Sequence, residues 1–199
     1  SFEPSIDYKD PFNEVDLDVK VFLPNSAEIS VPCFLAGGKT WRVRYSSNVL
    51  GFHKWRSDCS DTSNKGLHFV EGELEVKKYE GDNQLLLHGA ICSQQGGRYL
   101  MHDNGKPFFW LGDTWWMELC ERFSYPDNFD LLTKDRIKKG YSVVQIVAGL
   151  YPDMPWRDER GRNEAGFPWD EAFNHINPEY FNFADHRIKH LVENGIVPC

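Results

Sequence analysis

Two hydrophobic periods divide this chain, and their order limits the folds open to it. From Val15 to Val21 apolar and polar residues alternate strictly, with Val15, Leu17, Val19 and Val21 set against Asp16, Asp18 and Lys20. That is the period of a strand with one buried face. Beyond Lys106 the apolar residues come instead in compact blocks, Phe108–Leu111 and Ser142–Val147, separated by stripes at helical spacing. Such blocks suit strands covered on both faces, as in a parallel sheet under helices. The pattern predicts an all-β module followed by an α/β winding.

In the first part, Ile29, Val31 and Cys33 alternate, as do Trp41, Val43 and Tyr45, and Gly51–Arg56 and Gly72–Lys77 add further strands. Short strands separated by Leu23-Pro-Asn-Ser and Gly37-Gly38 turns predict an immunoglobulin-like β-sandwich over residues 1–80. Alternation puts Trp41 and Tyr45 on the face of Val43, in the core rather than on a sugar-binding surface. The five cysteines form no C-x-x-C pair, so neither a disulfide framework nor a zinc site is signalled. They read as small buried hydrophobes, with a Cys33–Cys59 bridge as the alternative.

Residues 81–105 form a junction that ends in Asp103-Asn104-Gly105, and Asn-Gly between extended runs signals a hairpin. In residues 106–199, Ser124 and Pro126 open a helix carrying Phe129, Leu132 and Ile137 and closed by Gly140. Asn177-Pro178 opens a second, with Phe181, Ala184, Ile188 and Leu191, and Ile196-Val197 begins a third strand. Strand, helix, strand, helix, strand is the start of a (β/α)8 TIM barrel. A closed barrel takes roughly 250 residues, so this part is expected to be the incomplete N-terminal portion of one.

The candidate site follows from where strands end. Active sites of such barrels lie at the C-terminal ends of the strands. If Phe108–Leu111 is the first strand, then Asp113, Trp115 and Trp116 stand at its end, a carboxylate beside indole faces suited to a sugar. The alternative is that Asp113 caps a helix and the two Trp side chains are core. Gln145, inside an apolar strand, is expected to point into the barrel below. After Val147 a connection to Asn177 greatly exceeds the usual two to six residues and holds Tyr151, Asp153, Trp156, Asn163 and Glu164. It reads either as a substrate-binding loop or as a lid whose aromatics pack on one another. His186 and His190 sit four apart on a helix without an acidic partner on that face, so a solvated face is expected there and no metal.

The net charge of −8 and the lack of a basic cluster argue against nucleic-acid and anionic-membrane partners. No signal-peptide pattern is visible, and cytoplasmic and secreted or periplasmic locations both stay open, as does oligomeric state. No cofactor is expected.

Gly105–Trp116, Gln145–Pro155 and Asn163–Trp169 resemble the apiosidase-like glycoside hydrolase catalytic domain. Asp10–Val15, Cys59–Asp61 and Gly66–His68 resemble the β-sandwich module that often precedes it. The resemblance implies a glycoside hydrolase acting on plant-type polysaccharide side chains through two carboxylates. It places that pair at the ends of the fourth and seventh strands, so the catalytic residues are expected beyond Cys199. A non-catalytic carbohydrate-binding protein on a degenerate barrel is the other reading.

Overall fold

A computed structural model describes residues 1–149, 151 and 153–199. The chain divides into two compact units, Ser1–Lys78 and Tyr79–Cys199.

The first unit begins with a short helix α1 (Pro11–Glu14), whose N-terminal Asp10 accepts from the Asn13 backbone. Six strands follow: β1 (Leu17–Phe22), β2 (Glu28–Pro32), β3 (Phe34–Gly37), β4 (Thr40–Arg42), β5 (Gly51–Cys59) and β6 (Glu71–Val76). An antiparallel sheet runs in the order β2-β1-β5-β6, and β3 and β4 form a separate ribbon. Leu17, Val19 and Val21 of β1 are buried with Trp41 of β4, so the alternation of the sequence does set one face inward. Phe2 and Trp41 exchange both backbone hydrogen bonds, tying the N-terminus to that core.

The Ile29–Cys33 alternation leads into the edge strand β2, with Ile29 exposed and Val31 and Cys33 packed against the core. Cys33 and Cys59 are both free thiols. Cys33 bonds to Leu17 on one side of β1 while Cys59 pairs with Leu17 on the other. They thus stand two strand spacings apart, roughly 9–10 Å, beyond the span of a disulfide. Burial first of all pushes the Cys33 thiol up to about 12.

The second unit opens with α2 (Gln84–His88) and the antiparallel strands β7 (Ile91–Ser93), β8 (Leu100–His102) and β9 (Pro107–Phe108). The β8–β9 turn is the expected hairpin, with Gly105 at φ +85° and its N–H donating to His102 O. A parallel sheet then runs β10 (Gly112–Trp115), β11 (Val143–Ile146), β12 (Val197–Pro198), in sequence order. Helix α3 (Asp127–Lys138) joins β10 to β11, and α4 (Pro178–Glu193) joins β11 to β12. Gly140 and Gly195, both with positive φ, end the two helices where the sequence predicts.

The first parallel strand lies four residues later than the bulky run suggests. Phe109 is 76% exposed and Trp110 50% exposed, whereas Gly112–Trp115 enters the ladder. Ser142 decides this: its hydroxyl donates to Phe109 O at 2.6 Å and accepts from Leu111 N–H at 3.0 Å. Phe109–Leu111 is thereby docked as a connector, and pairing with β11 starts at Gly112.

Side chains alternate about this sheet. Trp115, Val144 and Ile146 meet Phe129, Leu191 and Ile196 in the core under the helices. Thr114 and Gln145, paired in register, occupy the other face. The buried stripe of α4 is Tyr180, Ala184, Arg187 and Leu191 rather than the expected Phe181, Ala184, Ile188 and Leu191.

Candidate functional site

Asp113 lies within β10, on the face turned to α3. Arg136 of α3 donates to its Oδ2 from Nε at 2.5 Å, and Trp115 donates to the same oxygen from Nε1 at 3.1 Å. Burial raises its pKa, but the Arg136 and Trp115 hydrogen bonds outweigh this and hold the carboxyl below its ordinary value. This contribution to stability is present above the unfolded carboxyl pKa and is lost as pH falls through the folded one. Trp115 is buried, edge-on to Phe123 and Phe129 with centroids at 5.7 and 5.4 Å. Trp116, the next residue, is 55% exposed.

On the opposite face Thr114 donates to Gln145 Oε1 at 3.4 Å. Trp110, Gly112, Asp113, Thr114, Val143, Gln145 and Cys199 line an open pocket of about 290 Å³ there. Its lining carries hydroxyl, amide and indole groups, the donor and acceptor types that polyhydroxylated ligands use.

In the loop from β11 to α4, Leu150 and Pro152 lie outside the described residues, and the others make contacts of their own. Tyr151 is buried, its hydroxyl 3.4 Å from that of Tyr180, and burial followed by Tyr180 raises its pKa. Asp153 is exposed. Trp156 packs on Phe173 with centroids at 4.6 Å, and the Arg157 guanidinium lies over both Trp156 and Phe167. Asn163 is fully buried, donating to Tyr180 O and accepting from Ala165 N–H, each at 2.9 Å. Glu164 forms a two-point ion pair with Arg187, at 2.8 and 3.3 Å. Asn177, at the start of α4, turns its amide to Ala165 O and Phe167 O.

This loop and the one after β10 are joined. Glu121 N–H donates to Arg162 O at 2.9 Å, and Arg162 pairs with Glu121 at 3.8 Å. The Cys120 thiol lies beside the Tyr151 hydroxyl. Cys120 is buried, as the sequence suggests for a small hydrophobe, whereas the buried Glu118, Tyr180 and Arg187 carry no such expectation. A strict stripe through 180, 184 and 191 already points inward at 187, and that spacing is the signal that could have found the arginine.

Gly149, just past β11, has φ +88°, and a Cβ there would meet the Trp169 ring at 2.6 Å. Gly149→Ala should destabilise the second unit by about 2–3 kcal/mol, combining left-handed strain with overpacking. Urea unfolding followed by tryptophan emission would measure it; a loss below about 0.5 kcal/mol would mean that Trp169 yields freely.

His190 is packed rather than solvated, edge-on to Tyr125 and Phe129 and 3.4 Å from Asp130. His186 is exposed. Among the described residues no group of three or more His, Cys, Asp or Glu could hold a metal ion.

Residues 94–199, more than half of the chain, match the model of the apiosidase-like catalytic domain. The chain belongs to the apiosidase-like family. Residues 1–60 match a domain of unknown function, DUF5060. No curated protein matches the chain. Among solved structures, a candidate glycoside hydrolase of Bacteroides vulgatus shares the fold at a TM-score of 0.69 and 17% identity, over 97% of this chain and 37% of that one. A family 5 glycoside hydrolase of Bacteroides vulgatus aligns at a TM-score of 0.44 and 29% identity, over 56% of this chain and 24% of that one. The apiosidase-like chain thus spans well under half the length of these relatives. Its matched segment contains all three parallel strands, both joining helices and both joined loops.

Proposed function

We propose that this chain is part of a glycoside hydrolase. It would supply an immunoglobulin-like β-sandwich and the first strands of a (β/α)8 barrel. The observation that carries this reading is the match of the apiosidase-like domain to a segment built as a parallel sheet with helices on one face. The B. vulgatus structure supports the fold.

The residues divide by what they touch. Trp116, Asp153 and Trp156 retain accessible surface and are proposed to contact sugar, Trp116 by stacking. Gln145 is proposed to lie beneath them on the inner face, hydrogen-bonded to Thr114. Asp113, Trp115, Tyr151, Asn163 and Glu164 are proposed as positioning residues, since their polar groups or rings are engaged by the protein itself. The family resemblance puts the acid and the nucleophile on the fourth and seventh strands, and no residue of this three-stranded sheet is proposed for either role. The substrate class we propose is a plant-type polysaccharide side chain, bound without a cofactor.

Hydrolysis of a panel of chromogenic furanosides and pyranosides by the full-length enzyme tests this. Trp116→Ala should lower kcat/KM on the best substrate roughly tenfold, the loss expected on truncating an aromatic anchor worth about 1.4 kcal/mol. An unchanged kcat/KM would remove Trp116 from the sugar contacts. Sugar binding without turnover of any panel member would instead favour the carbohydrate-binding alternative.

A further inference from the structure

Glu118 lies in the turn after β10 with no solvent-exposed surface, and neither carboxyl oxygen has a hydrogen-bond partner among the described residues. Arg187 of α4, equally buried, is near enough to act on its charge. The two terminal nitrogens of Arg187 bond Glu164 and its guanidinium lies over the Tyr125 ring at 5.3 Å, while its buried Nε has no partner among the described residues and does not reach the Glu118 carboxyl. Around the same arginine stand Tyr180 from α4, Glu164 from the second loop, and Cys120 from Glu118's own loop, with Tyr151 beside Cys120. His186 acts on Glu164 from the outside.

A buried carboxylate with no donor is far more costly than the neutral acid. Ionised Glu118 would also set two carboxylates against one guanidinium. We propose that Glu118 is a neutral acid at the seam between the loops following β10 and β11, and that loss of its proton loosens that seam.

Burial pushes the Glu118 carboxyl up to about 8, against the pull of Arg187. The unfolded chain releases this proton near the ordinary carboxyl value of about 4.3. Between those two values the folded state binds more protons, so its stability falls as pH rises across the window and levels off above it. This holds whatever glycoside the protein acts on.

The test compares the full chain with Glu118→Gln, which keeps the shape and cannot ionise. Thermal unfolding is followed from about pH 5 to about pH 9, together with tryptic cleavage after Arg157, Arg160 and Arg162, corrected for trypsin activity on a free peptide. The wild-type Tm should fall with pH more steeply than that of the variant, and its loop cleavage should accelerate several-fold more above neutrality. Parallel curves for the two proteins would overturn the proposal. If the variant does not fold, the wild type alone decides through its infrared spectrum. A protonated-carboxyl stretch should persist at neutral pH and vanish as loop cleavage rises, and its absence at neutral pH would overturn the proposal.

Discussion

Arg187→Ala is expected to lower the unfolding free energy of the protein by about 2–4 kcal/mol, chiefly through the cavity left by a wholly buried side chain, since its partner Glu164 keeps a third of its side chain in solvent. The guanidinium is wholly buried and holds Glu164 at two points. Removing it leaves that carboxylate without its counter-charge and opens space over Tyr125. Arg187→Met fills much of the volume without the charge and should cost less than alanine. The pH dependence gives a second reading. Burial raises the Glu164 pKa, but the Arg187 pair outweighs it and holds the carboxyl below its ordinary value. Its stabilisation is therefore complete above the unfolded pKa and lost as pH falls through the folded one, so the Arg187→Ala deficit should shrink in acid. Urea unfolding at neutral and acidic pH would measure both. A deficit under about 1 kcal/mol at neutral pH would mean that the cavity closes and the pair behaves as a surface one.

Phe129→Ala should cost somewhat more, about 3–5 kcal/mol. Phe129 is fully buried, and Trp115, Phe123, Tyr125 and His190 all stand within 5.4–5.6 Å of its ring centroid. Aromatic neighbours reposition less readily than the aliphatic chains that share this core, so much of the cavity should stay open. The effect reaches the candidate site because Trp115 precedes the exposed Trp116 in the chain. Trp115 emission should shift to the red in the folded variant, and Phe129→Leu should recover part of the stability. A loss below about 1.5 kcal/mol would mean that the cage collapses around the smaller residue.

What could be read from the sequence was punctuation and period. Asn104-Gly105 marks a hairpin through backbone preference alone, and Gly140 and Gly195 end helices because left-handed φ suits glycine. Leu17, Val19 and Val21 reveal an inward face because a strand repeats every two residues. What stayed hidden was decided by partners far along the chain. The run Phe108–Leu111 reads as a buried strand until Ser142, more than thirty residues on, holds Phe109 and Leu111 in place. Asp113 carries the same carboxylate whether it meets a hydroxyl or Arg136, which lies a whole helix away. Glu118 and Arg187 look like surface residues by type. Their burial follows from how the two loops and α4 pack, and no local window contains all three segments.

The Glu164–Arg187 pair also bears on how the protein could be re-engineered. The long loop after β11 is anchored by a residue of α4, outside any cassette that would carry the loop alone. A transplanted loop lacking an acid where Glu164 stands would leave Arg187 charged and enclosed. Donor sequences should therefore be chosen together with the helix position that receives them, and a library randomising loop and position 187 jointly would sample folded clones more richly than one varying the loop alone.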